Sequence, residues 1–193
     1  PLILGQRLST RNTMNVYSDL IYNKGAMVLR MLHFLLSDPN TGSGQPFFDM
    51  MSDFVKQYQN RAATTEDFMR VAGAHFANAP IGKMFGLKDL GWFFQQWVYE
   101  AKLPNYRMEY RIEQGDNGSA VVTGTIFQEN AGPNWFMPLP VVFKFPGDQM
   151  GRAAVYANGP ETAFKIPLPM KPSSVALDPD LWILSEKTST KKK

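Results

Sequence analysis

The chain has 193 residues, enough for one large domain or two small ones, and its 44% hydrophobic and 19% charged residues make a globular balance. The net charge of +3 equals the three terminal lysines Lys191, Lys192 and Lys193, so the remainder is neutral and offers no basic face for nucleic acid. There are no cysteines, which excludes disulfides, thiolate metal sites and a cysteine nucleophile, and no run of about 18 apolar residues that would span a membrane.

Up to about Pro104 the apolar residues recur at helical spacing. Ser18 or Asp19 is expected to cap a helix running to Leu36, with Ile21, Gly25, Val28, Leu29, Leu32 and Leu36 on one broad face. Asp38-Pro39-Asn40-Thr41-Gly42 should break it. Pro46 suits the first turn of a second helix striped by Phe47, Met51, Phe54, Val55 and Tyr58. Thr64 followed by Asp67 has the spacing of a capping box for a third, through Phe68, Val71, Ala72 and Phe76. A fourth holds Leu90, Phe93, Phe94 and Trp97 and ends before Leu103-Pro104.

Beyond Pro104 the period becomes two. Tyr106, Met108, Tyr110 and Ile112 alternate with Arg107, Glu109, Arg111 and Glu113, and Gly115-Asp116-Asn117-Gly118 signals a hairpin. Strands are expected over 121–128, 139–145, 153–157, 162–168, 174–177 and 181–184, making roughly seven in two sheets. The expected fold class is therefore α+β in two parts, an α-helical region over 1–104 and an antiparallel β-sandwich over 105–187, with 188–193 as a disordered basic tail.

The chemistry-bearing residues are sparse. His33 and His75 stand alone, neither followed by a second histidine four residues on, and so give no H-E-x-x-H zinc pair. No G-x-S-x-G elbow, phosphate loop or triad spacing occurs. Asp49 and Asp53 read as a solvated helix face, Glu66 and Asp67 as first-turn acids favoured by the helix dipole, and Asp178-Pro179-Asp180 as a turn. Trp92, Phe93, Phe94, Trp97 and Tyr99 read as core by their spacing. Tyr22 is the exception. It is expected on the first helical turn, and Gly25, which costs helix stability, opens a space one turn further on. Such a place suits a phenol aimed into a cleft.

Tyr22-Asn23-Lys24-Gly25-Ala26 and the apolar run after it resemble the Y-x-K-G-A segment that follows the zinc site in the M1 family of zinc aminopeptidases. Four further stretches follow the family's order and spacing over nearly the whole chain. These are Pro1-Leu2-Ile3-Leu4-Gly5-Gln6-Arg7-Leu8, Thr65-Glu66-Asp67-Phe68, Phe93-Phe94-Gln95-Gln96-Trp97 with Pro104, and Met137-Pro138-Leu139-Pro140-Val141 with Leu177-Asp178-Pro179. The resemblance implies that Tyr22 is the phenol that donates to the developing oxyanion beside the zinc, and that Tyr17 lies near the same substrate pocket. A phenol, with an ordinary pKa near 10, keeps its proton at working pH and can make that donation. The family's G-x-M-E-N and H-E-x-x-H motifs and its downstream zinc-ligating glutamate have no counterpart here.

The expectation is accordingly a C-terminal fragment of a zinc metallo-aminopeptidase, holding the end of the catalytic domain and the β-sandwich that follows. Zinc belongs to the parent protein, with no metal in the fragment, which should be inactive alone. The parent's partner is a peptide substrate. The fragment is expected to self-associate through an apolar face of its helical half, with no nucleic acid and no membrane span. Family likeness points to a periplasmic or secreted bacterial parent. The rival expectation is a non-catalytic protein-interaction module on the same scaffold.

Overall fold

The computed structural model describes residues 1–39 and 41–193, with Gln6 described by its backbone alone. The chain divides into two compact units, Pro1–Ala101 and Lys102–Lys193. The first is helical and the second is built of strands, so the protein is α+β with the helices preceding the sheets.

In the helical unit a 3₁₀ segment, Leu2–Leu8, leads into a long helical run. That run is α1 (Met14–Tyr17), a widened π-helical stretch Ser18–Lys24, and α2 (Gly25–Leu36). The helix therefore begins four residues before the expected cap. Ser18 and Asp19 lie inside it, because the turn closed by Thr13 N–H to the Thr10 carbonyl (3.1 Å) already starts the winding. Val28, Leu32 and Leu36 are buried as their spacing predicts, but Leu29 stays partly exposed. The break expected at Asp38-Pro39-Asn40-Thr41-Gly42 closes with Gly42 N–H donating to the Asp38 carbonyl at 2.8 Å. Asn40 itself lies outside the described residues.

Helix α3 (Gln45–Tyr58) carries Pro46 in its first turn. Its buried residue is Met50, whereas Val55 from the expected stripe faces solvent, so the buried stripe is rotated toward Met50. Helix α4 (Thr65–Phe76) opens with the expected capping box: Thr64 Oγ1 accepts from Asp67 N–H at 3.1 Å, and Asp67 Oδ2 accepts from Thr64 N–H at 3.0 Å. Helix α5 (Pro80–Phe85) has no counterpart in the periodicity, although Pro80 in its first turn and the left-handed Gly86 after its end are the usual boundary residues. Helix α6 (Gly91–Phe94) passes into a second π-helical stretch, Gln95–Tyr99, which ends at the extended residue Glu100. Leu32, Leu35, Phe76, Phe93, Phe94 and Trp97 form the centre of this unit's core.

The β unit is a sandwich-like pair of sheets. Its strands are β1 (Asn105–Gln114), β2 (Ala120–Glu129), β3 (Phe136–Lys144), β4 (Met150–Asn158), β5 (Glu161–Leu168), β6 (Ser174–Leu177) and β7 (Lys187–Lys192). The orders are β5-β2-β1-β7 and β4-β3-β6, all antiparallel except β1 with β7. Alternation in β1 buries Tyr106, Met108 and Tyr110. Pro138 and Pro140 are tolerated in β3 because β6 pairs only with Val141–Lys144, which leaves the proline-bearing stretch with a strand on one side alone.

Two strand assignments are corrected. Leu181–Leu184 is no strand. It is an irregular segment held by Asp178, whose carboxylate accepts from the Trp182 and Ile183 N–H groups at 2.8 and 2.9 Å. Residues 188–193, expected as a disordered tail, mostly lie in β7, paired in parallel with β1 from Asn105↔Lys187 to Tyr110↔Lys192. The main chain of β1 supplies the ladder that the polar sequence does not advertise. Lys193 adds a salt bridge to Glu109, whose carboxyl is held below the usual carboxylate range chiefly by that ammonium. Among the described residues no helix is long and apolar enough to cross a membrane.

Candidate functional site

Tyr22 does not stand on a first helical turn. It lies inside the π-helical stretch Ser18–Lys24, one residue per turn wider than an α-helix and a form that occurs mostly as short bulges, often at functional sites. Tyr22 is 65% exposed there. Tyr17, half-buried one turn earlier, packs edge-to-face against it with ring centroids 6.0 Å apart. Sequence reasoning paired these two residues, and the structure brings them together.

Tyr22 stands on the rim of an open, mainly apolar groove of about 590 Å³ in the helical unit. Leu2 and Ile3 form one end, Ile21, Gly25 and Leu29 one wall, and Phe68, Phe94 and Val98 another, with Thr64 and Thr65 alongside. Both widened stretches contribute, Ile21 and Tyr22 from the first and Val98 from the second. A methyl group built on Gly25 would meet no atom within 4 Å. The glycine is not demanded by packing inside this chain, and its effect is to leave open space over the helix beside the phenol.

Lys24, which the sequence marked only as a neighbour of Tyr22, is buried, and its Nζ donates to the Glu100 carbonyl at 3.1 Å. Burial lowers its pKa from the ordinary lysine value. Asn23 Nδ2 donates to Asp19 Oδ1 at 3.1 Å, a helix-surface contact four residues apart. A lysine at the head of an apolar run is the mark the sequence offers for this residue, and periodicity alone passes over it.

The remaining candidates take structural places. His75 Nε2 lies 2.9 Å from Asp53 Oδ2 across α3 and α4. His33 stacks on Phe47 at 4.8 Å, and its pKa is lowered chiefly by burial. Glu66 accepts from the Tyr99 hydroxyl at 2.9 Å, and Asp67 from the Tyr58 hydroxyl at 2.6 Å in addition to its cap. Asp49 accepts from Gln45 Nε2 at 2.9 Å. Asp178 and Asp180 do form the expected turn, but Asp178 is a buried anchor and Asp180 pairs with Arg152 at 2.7 Å. Among the described residues no group of three or more His, Asp or Glu is placed to hold a metal ion.

No protein-family model matches the chain, and a search of curated proteins returns no match.

Proposed function

We propose that the chain is the C-terminal part of an M1-type zinc aminopeptidase, in which the Tyr22 hydroxyl donates a hydrogen bond to the oxygen that gains negative charge as a peptide carbonyl is attacked. The observation that carries this reading is an exposed phenol on the rim of an apolar groove whose wall is cut back at Gly25. A peptide main chain can approach the helix at Gly25 while Tyr22 reaches its carbonyl. The Tyr17 ring limits the arc through which the phenol swings. Among the described residues no group of three or more His, Asp or Glu is placed to hold a metal ion, and this reading assigns the zinc to the proposed parent.

The donor acts where charge develops, so its contribution appears in the rate and little in ground-state binding. In the full-length protein, Tyr22→Phe is expected to keep fold and metal content while kcat falls about 100-fold or more and KM changes little. Steady-state kinetics on an aminoacyl reporter reads this directly. Near-normal turnover in a folded, metal-loaded variant would falsify the assignment. The apolar groove also favours a second reading, a peptide-binding module without catalysis. That reading expects full-length protein that binds peptide and releases no amino acid.

A further inference from the structure

We propose that Lys24 is the positioning residue of the Tyr22 phenol, clamping the widened helix that carries it to the end of the widened stretch Gln95–Tyr99. The catalytic meaning of this clamp rests on the function proposed for Tyr22, while the clamp itself rests on geometry.

Two positions along a helix lie about half a turn apart. Tyr22 and Lys24 therefore leave the same short stretch in nearly opposite directions, one into the groove and one into the protein. The structure follows this: Tyr22 is exposed and Lys24 is buried. Burying an ammonium is unfavourable unless something receives it. The receiver is the Glu100 carbonyl, 3.1 Å from Nζ. Glu100 has left the helical conformation, with φ −103° and ψ 162°, so it ends the Gln95–Tyr99 stretch. The last carbonyls of a helix lack partners within it and carry the negative end of its dipole. A lysine is suited to that place, since it brings hydrogen-bond donors and a positive charge together.

Both widened stretches contribute to the groove, Ile21 and Tyr22 from one and Val98 from the other. An extra residue in a helical turn makes the backbone easier to deform, and two such turns side by side would leave Tyr22 poorly fixed. A side chain that crosses from one to the other removes that freedom. Because Lys24 is two residues from Tyr22 in sequence, an anchor at Lys24 restrains the main chain of the same turn that carries the phenol.

The test places 3-fluorotyrosine at position 22 of this chain and reads its ¹⁹F resonance, with the same label at Tyr58 as the control within the helical unit. In Lys24→Met the position-22 line is expected to shift and broaden while the position-58 line stays in place. Lys24→Arg, which keeps a cation for the carbonyl, is expected to hold the line near its native position. Where Lys24→Met does not fold, Lys24→Gln, which keeps a donor and loses the charge, gives the same comparison. An unchanged position-22 line in the folded neutral variant overturns the proposal, and so does an equal disturbance at both labels, which marks a general packing role. In the full-length enzyme, Lys24→Met is expected to lower kcat about tenfold or more with KM nearly unchanged. The fluorine readout needs no activity. If Tyr22→Phe leaves turnover intact while the Lys24→Met line still moves, the peptidase reading fails and the clamp stands.

Discussion

Both units bury polar side chains, Lys24 and Gln96 in the first and Gln128 and Asp178 in the second, but they differ at their tyrosines. In Pro1–Ala101 a phenol is left 65% exposed beside a glycine with empty space above it. In Lys102–Lys193 the large polar side chains Tyr106, Trp135, Gln128 and Asp178 are buried. Gln128 Nε2 donates to the Trp135 and Gly159 carbonyls at 2.8 and 3.2 Å, and burial pushes the Tyr106 hydroxyl far above its ordinary pKa. A sealed polar group supports its own fold. An exposed aromatic on a groove rim contributes little burial to the fold and leaves its hydroxyl available to a ligand in the groove. Under the function proposed for Tyr22, the chemistry belongs to the helical unit and the β unit serves as a scaffold.

The sharpest way to break this contrast is to open the β unit from inside. Asp178 sits at a positive φ of 44° and receives two main-chain N–H groups with one carboxylate. Asp178→Ala leaves both donors without that acceptor and removes the local side-chain hydrogen bonds that let an aspartate tolerate the left-handed backbone. The expected loss is about 2–4 kcal/mol, read as a lower denaturant midpoint, because each stranded buried donor costs about 1–3 kcal/mol. The turnover proposed for the full-length protein should be unchanged in a variant that remains folded. A variant that keeps its stability would remove Asp178 as the anchor of the 181–184 segment.

A smaller effect separates two glycines that look alike in the sequence. Gly124 lies in β2 between Tyr110 of β1 and Phe164 of β5. A methyl group there would stand 2.3 Å from the Glu109 carbonyl oxygen and 2.7 Å from the Phe164 ring. Gly124→Ala must push strands or ring aside, and overpacking of this kind is expected to destabilise by about 1–3 kcal/mol. Thermal unfolding of the chain checks it, and a neutral result would mean that the β unit is looser than its packing implies.

Most of the framework was legible from residue patterns. Pro46, the Thr64–Asp67 box and the alternation in β1 each mark a local rule that the tertiary structure obeys. What was not legible depends on a specific partner or winding, distant or local, that composition does not display. Lys187–Lys192 has no apolar alternation and becomes a strand because the main chain of β1 offers a ladder. The apolar Leu181–Leu184 has strand composition and is irregular because Asp178 takes its amide groups. Tyr22 and Gly25 line a groove, but not from a first helical turn, since a π-helical insertion changes the winding without changing composition. Lys24 makes the same point: its role lies in Glu100, 76 residues on.

The smallest expected effect is the most discriminating, because stability and function should move in opposite directions. Gly25 begins α2 and has ordinary right-handed helical angles, φ −59° and ψ −46°, so alanine fits its backbone. Nothing lies within 4 Å of the added methyl. By helix propensity alone, Gly25→Ala should stabilise this chain by about 0.5–1 kcal/mol. A glycine kept there at that cost is explained if something approaches the helix closely in the groove. The same methyl group should then weaken peptide turnover in the full-length protein, and a larger side chain, Gly25→Leu, should weaken it further while Tyr22 stays in place. Chemical denaturation of the chain and kcat/KM of the full-length protein read the two effects separately. A Gly25→Ala variant that is both more stable and fully active would mean that the space over Gly25 is unused, and the contrast between the units would then rest on Tyr22 alone.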